Sequence, residues 1–332
     1  MDRETPVTPT PSAHLDIHGD AAVENRVTVA GENLTNTEHQ GDPRATDAVR
    51  AAMREVSISD SIIGRLAAEQ LATGGKLLRA ELTLGAVQAA GSPSAPASAE
   101  EAVWAAAAVE LTHQASLVHD DLMDRDGERR GCVAVWQSHG TDHAILLGDH
   151  LIAAAFDAAA RGPNPRALVP RIAAAVRGAA SGQARERGAA PPLDCKDPVG
   201  AYEERVRAKS GCLMALPVEA ALASMSVDAD TIASAARAWS ALGAAYQVGD
   251  DLSELEGRKA GRTRQSDLIE RRFTAPVAHY LLASGPSERS ALYEFLGQPP
   301  GPDGPIADWR QCLLAGDTPE RCRQHIKKLV NE

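Results

Sequence analysis

The chain has 332 residues and a formal net charge of −11. That length suffices for one large domain with a substantial core. The negative balance argues against binding to nucleic acid or to an anionic membrane surface. The five cysteines are scattered and lack CxxC spacing, which argues against a disulfide framework or a zinc site.

The N-terminal segment differs in composition from the rest of the chain. Residues 1–44 are rich in Thr, Pro, Asn, Asp and Glu with little periodicity, which predicts a disordered leader before a single folded domain at 45–332. The segment lacks a basic stretch followed by an apolar one, and no apolar run in the chain approaches about 18 residues. We therefore expect a cytoplasmic protein with no membrane span.

Helix is the element expected throughout the folded domain. Aromatic residues make up only 3% of the chain, alanine is abundant, and alternating β-branched runs are scarce. The predicted fold class is therefore all-α, a single large helical bundle. In chain order, helices are predicted over 46–72, 77–91, 98–124, 141–160, 167–187, 199–224 and 228–255, with shorter ones near 287–296, 306–315 and 318–330.

Two acid-rich hexapeptides lie in apolar helical stretches, HDDLMD at 119–124 and GDDLSE at 249–254. Each has carboxylates at positions i and i+4, which share one helix face. Oxygen ligands in two such patches suit a hard divalent cation, and Mg²⁺ shares its shell with waters and substrate phosphates. For either motif alone, the alternative is a solvated helix end. The predicted metal ligands are Asp120, Asp124, Asp250, Asp251 and Glu254.

Basic residues in neighbouring segments predict binding sites for anions, called seats here. The adjacent arginines of ERRG at 128–131 could donate paired hydrogen bonds to diphosphate oxygens. In GGKLLR at 74–79, Lys76 and Arg79 share a helix face behind a flexible glycine pair. Cations in separate places beside two acidic patches predict a site for two phosphorylated substrates.

These motifs resemble those of the trans-isoprenyl diphosphate synthases, all-helical polyprenyl synthetases that join isopentenyl diphosphate to an allylic diphosphate. The resemblance covers residues from about 45 to 285. It implies a helical bundle around a central substrate cavity, a catalytic domain at 45–332, Mg²⁺ as the cofactor and a homodimer. The matching segments are GGKLLR at 74–79, ELTHQASLVHDDLMDRDGERRG at 110–131, LLGDHLIAAAF at 146–156, KSG at 209–211, YQVGDDLSELEG at 246–257 and SDLIERRFTAP at 266–276.

The resemblance also implies a role for each matching residue. Mg²⁺ held by the acid motifs would bind the allylic diphosphate as its C–O bond breaks, and the departing diphosphate would accept the proton released after condensation. The residues implied to hold isopentenyl diphosphate are Lys76, Arg79, His113 and Arg130. Those implied at the allylic diphosphate are Arg129 and Lys209, and Ser210, Gln247, Arg262 and Arg272 complete the substrate-binding set. The predicted catalytic residues are Asp120, Asp121, Asp124, Lys209 and Asp250.

Some of these residues have structural alternatives or depart from the family pattern. His113 could be a structural histidine on a partly buried helix, and Gln247 could be a helix-packing amide. Glu254 ends the second acid motif where Asp is usual, and arginines at 262 and 272 stand where lysines are usual. Because the guanidinium is larger and bidentate, these exchanges are expected to shift rate or substrate preference.

Product length in this family depends on how soon a bulky side chain blocks the helix wall before the first acid motif. Here the wall contains Ser116, Ala115 and Thr112 and continues to Ala105 with no aromatic residue. That wall is about 16 Å long at 1.5 Å per residue. We therefore predict a product of C20 or longer, unless an opposing group such as Phe156 closes the tunnel.

Two other functions remain open at this point. An isoprenoid cyclase of related fold would use the first acid motif but would need no isopentenyl diphosphate seat, so Lys76, Arg79 and His113 argue against it. A non-catalytic subunit of a heteromeric synthase would fit the N-terminal extension and the altered second motif. The intact acids of the first motif and both arginines of ERRG argue against that reading.

Overall fold

The computed structural model describes residues 43–91, 99–187, 191, 193–258 and 266–332. The predicted leader lies outside the described residues, except that Pro43 and Arg44 already belong to the first helix. The described part is helical apart from one two-stranded hairpin and the connecting loops, which confirms the all-α prediction.

The helices of the described part are numbered here in chain order. They are α1 (Pro43–Ser57), α2 (Ile62–Ala72), α3 (Leu78–Ala90), α4 (Ala99–Asp124), α5 (Val135–His139), α6 (Thr141–Arg161), α7 (Pro165–Arg187), α8 (Pro198–Val206), α9 (Cys212–Ser224), α10 (Ala229–Glu256), α11 (Ser266–Ile269), α12 (Ala275–Ala283), α13 (Pro286–Leu296), α14 (Ile306–Leu314) and α15 (Thr318–Val330). A π-helical turn, Arg207–Gly211, joins α8 to α9. The hairpin pairs β1 (Glu128–Arg129) with β2 (Cys132–Val133) in antiparallel fashion.

Several features differ from the predicted elements. The helix predicted at 46–72 is broken, and Ser61 caps the new helix by accepting a hydrogen bond from the Gly64 backbone N–H. The helix predicted at 199–224 is interrupted by the π turn. The hairpin and the short helices α5, α11 and α12 were not predicted. Apolar periodicity cannot locate such elements when they are only one or two turns long.

Two hydrophobic cores support the ends of the acid-bearing helices. In the first, α4 packs along α6 through small side chains such as Ala108, Ala115 and Ala155, all with an exposed fraction of 1% or less. The second surrounds the C-terminal half of α10, where Val248 and Leu252 pack with residues of α12 and α15. Because interiors are close-packed, these cores hold both acid motifs in fixed positions.

Helix α6 is long and apolar enough to cross a membrane by length and composition. Its most apolar window has a mean hydropathy of 1.2, and 44% of that window is buried inside the protein. Core helices of soluble proteins pass the same test, so length and composition alone do not assign a membrane span.

The π-helical turn lies where three helices approach closely, and glycine permits that approach. A Cβ on Gly182 of α7 would lie only 2.5 Å from the backbone N of Lys209. A Cβ on Gly243 of α10 would lie 2.9 Å from the Cα of Gly211. Both distances are shorter than van der Waals contact, so side chains at these positions would push the turn outward. Single π turns are frequent at functional sites, and this one carries Lys209.

Replacing Gly182 with Ala should therefore lower the free energy of unfolding by about 1–3 kcal/mol, the usual cost of overpacking. Chemical denaturation followed by circular dichroism would measure the change. Gly85→Ala is the matched control, because Gly85 lies within α3 and a Cβ there meets no atom within 4 Å. That control should be neutral or gain up to about 1 kcal/mol from helix propensity. Equal stability of the two variants would contradict the close approach at Gly182.

Candidate active site

The C-terminal ends of α4 and α10 bring the two acid motifs to one cleft. The cleft encloses about 470 Å³ and opens to solvent. Asp250 lines it together with Arg272, and the Arg272 guanidinium also reaches Asp124 of the first motif, with an NH2 to Oδ1 distance of 3.1 Å. The two predicted patches therefore face each other across this cleft. Its lining consists of Glu186, Tyr202, Arg205, Val206, Lys209, Ser210, Gln247, Asp250, Asp251, Asp267, Arg272, Phe273 and Thr274.

Glu186 of α7 connects the two cations of this cleft. Its carboxylate lies 2.5 Å from Lys209 Nζ and 3.6 Å from Arg272 NH1. Burial opposes the charge of Arg272, but Asp124, Asp267 and other carboxylates around it outweigh burial and raise the pKa of its guanidinium. Both cations are thus held by carboxylates at the mouth of the cleft.

Asp120 is the carboxylate of the first motif whose negative charge is least balanced by hydrogen bonds and cations. It accepts no hydrogen bond from any described residue. Burial raises the pKa of Asp120, Lys209 opposes the rise, and Asp124 and Glu186 add to it, so that the pKa lies at about 6. A partly buried carboxylate beside two others is an electrostatic cost in the absence of a cation. Its position and chemistry fit a ligand for a hard divalent metal ion.

Asp121 differs from Asp120 because it forms an ion pair within the protein. Its Oδ1 accepts hydrogen bonds from the guanidinium of Arg129 on β1. The pair ties the hairpin to the end of α4, and it occupies an arginine that was predicted to contact diphosphate. To bind diphosphate, Arg129 would have to break its ion pair with Asp121 or donate from guanidinium N–H groups that the pair does not use.

Asp251, predicted as a metal ligand, is engaged by three protein donors. Its carboxylate accepts hydrogen bonds from Tyr202 Oη (2.7 Å), Gln247 Nε2 (2.8 Å) and the Ala275 backbone N–H (2.9 Å). The carboxylate is 7% exposed and anchors α10 to α8 and to the start of α12. Gln247 also accepts a hydrogen bond from Ser210 Oγ, at 3.2 Å. Both polar residues therefore link helices in this structure.

Glu254 and Arg262, the two remaining departures from the family pattern, lie in different situations. Glu254 is 4% exposed, on the same buried side of α10 as Asp251. Arg262 lies outside the described residues.

A second group of polar residues lies where α3 meets α4. Arg79 NH1 donates to His113 Nε2 at 3.1 Å. Burial, reinforced by the nearby guanidinium groups of Arg79 and Arg130, lowers the pKa of His113 well below its usual value. A neutral imidazole that accepts at Nε2 carries its proton on Nδ1, and that buried N–H has no partner in the described structure. Arg79 Nε is also a buried donor without a partner.

The loop between α2 and α3 brings further cations to this group. Lys76 is exposed on the loop, and Arg130 NH1 donates to the Gly74 carbonyl at 2.7 Å. Gly74 has a φ of 78° and Gly75 one of 155°, and glycine adopts such values readily. Arg79, His113 and Arg130 thus lie close together. Lys76 lies on the loop before α3, and not on a helix face shared with Arg79 as predicted.

The proposed chain-length wall faces the interior. Ala115 is 1% exposed and Thr112 2%, while Ser116 is half-buried and donates through its hydroxyl to the His113 carbonyl. Phe156 of α6 packs against the same core.

Sequence reasoning missed two residues that contact predicted site groups. Glu186 binds Lys209 and Arg272 across the cleft, and Tyr202 holds Asp251. The acid at the end of SGQARE could have been noticed as a third carboxylate on a helix. Nothing in a single sequence pairs it with a lysine 23 residues away.

The described residues contain no set of three His, Cys, Asp or Glu side chains placed to hold a metal ion by themselves. Mg²⁺ usually binds through one or two carboxylates together with waters and substrate phosphates. Asp120 and Asp124 on one side and Asp250 on the other fit that donor set. The arrangement can therefore accept a metal ion that arrives with a diphosphate.

Comparison with known proteins identifies the family of this chain. The sequence matches the polyprenyl synthetase family over residues 60–311. It is 32% identical to a short chain isoprenyl diphosphate synthase from Methanothermobacter thermautotrophicus, over 70% of this chain and 71% of that protein. It is 28% identical to the nonaprenyl diphosphate synthase of Mycobacterium tuberculosis, over 86% of this chain and 84% of the relative.

A solved structure shares the fold. The polyprenyl synthase of Caulobacter crescentus, in a complex with calcium and isoprenyl diphosphate, superposes with a TM-score of 0.74 at 26% identity. The match covers 87% of this chain and 86% of the other. The fold and the cleft define an isoprenyl diphosphate synthase. The chain belongs to the polyprenyl synthetase family.

Proposed function

We propose that this enzyme condenses isopentenyl diphosphate with an allylic diphosphate, using Mg²⁺ held by Asp120, Asp124 and Asp250. One observation carries the proposal most directly, namely the presence of a second anion seat apart from the acid motifs. In that seat Arg79 Nε and His113 Nδ1 are buried donors without a partner among the described residues. Unpaired buried donors cost free energy, which a phosphate oxygen would recover by accepting from them.

The second seat distinguishes elongation from cyclisation. A cyclase ionises one diphosphate and needs no site for another. Lys76 and Arg130 beside the unpaired donors give this seat the charge that a second diphosphate requires. The calcium and isoprenyl diphosphate of the Caulobacter crescentus structure support the same pairing of metal and substrate.

The allylic diphosphate is proposed to bind in the cleft at Lys209 and Arg272. In the structure these cations are paired with Glu186 and Asp124. Diphosphate binding would exchange those partners for phosphate oxygens, and metal ions would compensate the carboxylates released. Charge would then be balanced throughout the bound cleft.

In the proposed reaction the bond between C1 and oxygen of the allylic diphosphate breaks, and both electrons leave with the diphosphate. Lys209 and Arg272 stabilise the charge that develops on this leaving group. Bound Mg²⁺ supplies further charge stabilisation to the same oxygens. The double bond of isopentenyl diphosphate attacks the allylic carbon. Loss of a proton to the departing diphosphate then gives a product one isoprene unit longer.

We also propose a homodimer, as the family resemblance implies. It is proposed to be cytoplasmic and to act without nucleic acid, as the composition of the N-terminal segment and the net charge of −11 predicted. On α6, the exposed fractions of Ile145 and Leu146 are 44% and 52%. Two large apolar side chains on one exposed face are consistent with a subunit contact.

Activity should depend on divalent metal and on the first acid patch. Asp120→Ala and Asp124→Ala should each lower kcat by about 10³-fold or more, because that factor corresponds to roughly 4 kcal/mol of lost charge stabilisation. Steady-state assays with saturating Mg²⁺, and with chelator, would measure the loss. The control is Asp308→Ala, which removes an exposed carboxylate in the first turn of α14 and should leave turnover unchanged. Near-normal turnover of either acid-patch variant would refute the metal assignment.

The two substrate seats should respond to different variants. Lys76→Ala and His113→Ala should raise KM for isopentenyl diphosphate by about tenfold, the effect of losing roughly 1.4 kcal/mol of binding. Lys209→Ala should instead impair use of the allylic substrate. Initial rates with each substrate varied in turn would separate the effects, and Lys196→Ala, at an exposed loop position, is the control. Equal effects on both substrates in all three variants would contradict separate seats.

Product length tests both the reaction and the open wall. Incubation with Mg²⁺, isopentenyl diphosphate and a C5, C10 or C15 allylic primer should give elongated products of C20 or longer. Ser116→Phe and Ala115→Phe should shorten the product, because a ring would project from the α4 wall into the path of the growing chain. Chromatography of the dephosphorylated products would show the change, with circular dichroism to confirm folding after overpacking at Ala115. Arrest of the wild type at C15, or unchanged length in both variants, would refute the open wall.

A further inference from the structure

The loop that carries Lys76 is held by side chains from outside it. Gly74, Gly75 and Leu77 have φ values of 78°, 155° and 49°, so three of its residues have positive φ. Such a backbone persists only when its surroundings fix it, especially at Leu77, which has a Cβ. The connection is also short, since α2 ends at Ala72 and α3 begins at Leu78.

Two arginines from distant segments bind the carbonyl groups of the glycine pair. Arg130, which follows β1, donates from NH1 to the Gly74 oxygen at 2.7 Å. Arg50, on α1, donates from NH2 to the Gly75 oxygen at 3.1 Å. Hydrogen bonds from a charged donor are stronger than neutral ones. The loop is therefore fixed from one side by α1 and from the other by the hairpin.

Arg50 is placed for this contact by its helix. Its neighbours Val49 and Met53 are buried in the core, which fixes the rotation of α1, and Arg50 itself is half-buried. Arg54, one turn further along, is exposed, and its side chain forms no hydrogen bond or ion pair with a described residue. Of these two arginines on α1, only Arg50 binds the loop.

We propose that Arg50 is a positioning residue for the isopentenyl diphosphate seat. By holding the Gly75 carbonyl it fixes the backbone from which Lys76 projects, next to Arg79 and His113. Arg50 acts through the loop and need not touch substrate. The inference rests on the proposed function, because it assigns a role in binding one of the two proposed substrates.

Arg50→Met, Arg50→Lys and Arg54→Met test the proposal in the full-length enzyme. Arg50→Met should raise KM for isopentenyl diphosphate by about tenfold and leave KM for the allylic substrate within about twofold of wild type. Arg50→Lys keeps a charged donor but lacks the guanidinium fork, so it should raise the same KM by a smaller, still measurable factor of about three. Arg54→Met should match wild type in both constants. Thermal unfolding of each variant shows whether the protein is folded at the assay temperature.

The outcomes are distinguishable from failure of the proposed function. If the wild type forms no condensation product, the proposed function is wrong. If the wild type is active and Arg50→Met keeps its KM for isopentenyl diphosphate, or raises both KM values equally, the positioning role is wrong. If Arg50→Met does not fold, Arg50→Lys decides. A rise in its KM for isopentenyl diphosphate alone supports the proposal, and wild-type constants with a lowered melting temperature assign Arg50 to stability only.

Discussion

The balance between carboxylates and cations across the cleft is the constraint on which this site depends. Asp120, Asp124 and Glu186 lie close together, and like charges in a partly buried site repel strongly. Lys209 and Arg272 offset that repulsion in the structure. The cations that would receive an allylic diphosphate are therefore already paired, so binding amounts to an exchange of partners rather than the filling of a bare cationic site.

The proposed isopentenyl diphosphate seat is built differently. Its cations come from a loop, a helix and a hairpin, and the buried Arg79 Nε and His113 Nδ1 have no partner among the residues that the structure describes. A lowered pKa keeps His113 neutral, so this residue contributes a directed N–H donor and no charge. In the proposed reaction one seat would bind by exchange of ion pairs and the other through unpaired, oriented donors, which would be a physical basis for distinguishing two diphosphates.

The structure shows which contacts are made by residues of the second acid motif and by the arginine at a position where lysine is usual. At position 272 the fork of an arginine reaches Asp124, Glu186 and Asp267 together, which suits a planar group with several donors more than a single ammonium. Asp251, predicted as a metal ligand, lines the same cleft and also ties three helices together through its hydrogen bonds. The second acid motif therefore combines a residue that faces the cleft, Asp250, with one that also holds the fold.

The sequence by itself determined the helical class, the long helices and the two acid faces, because a carboxylate four residues from another lies on the same side of any helix. It predicted α6 and α15 to within one residue, since their apolar periodicity runs over several turns. Only the tertiary structure decided which carboxylates form ion pairs with which cations. The contacts of Glu186 with Lys209, and of Arg50 with Gly75, join residues more than 20 positions apart, and local pattern carries no information about such distances. The packing of the helices, which approach most closely at glycine residues, determined these contacts.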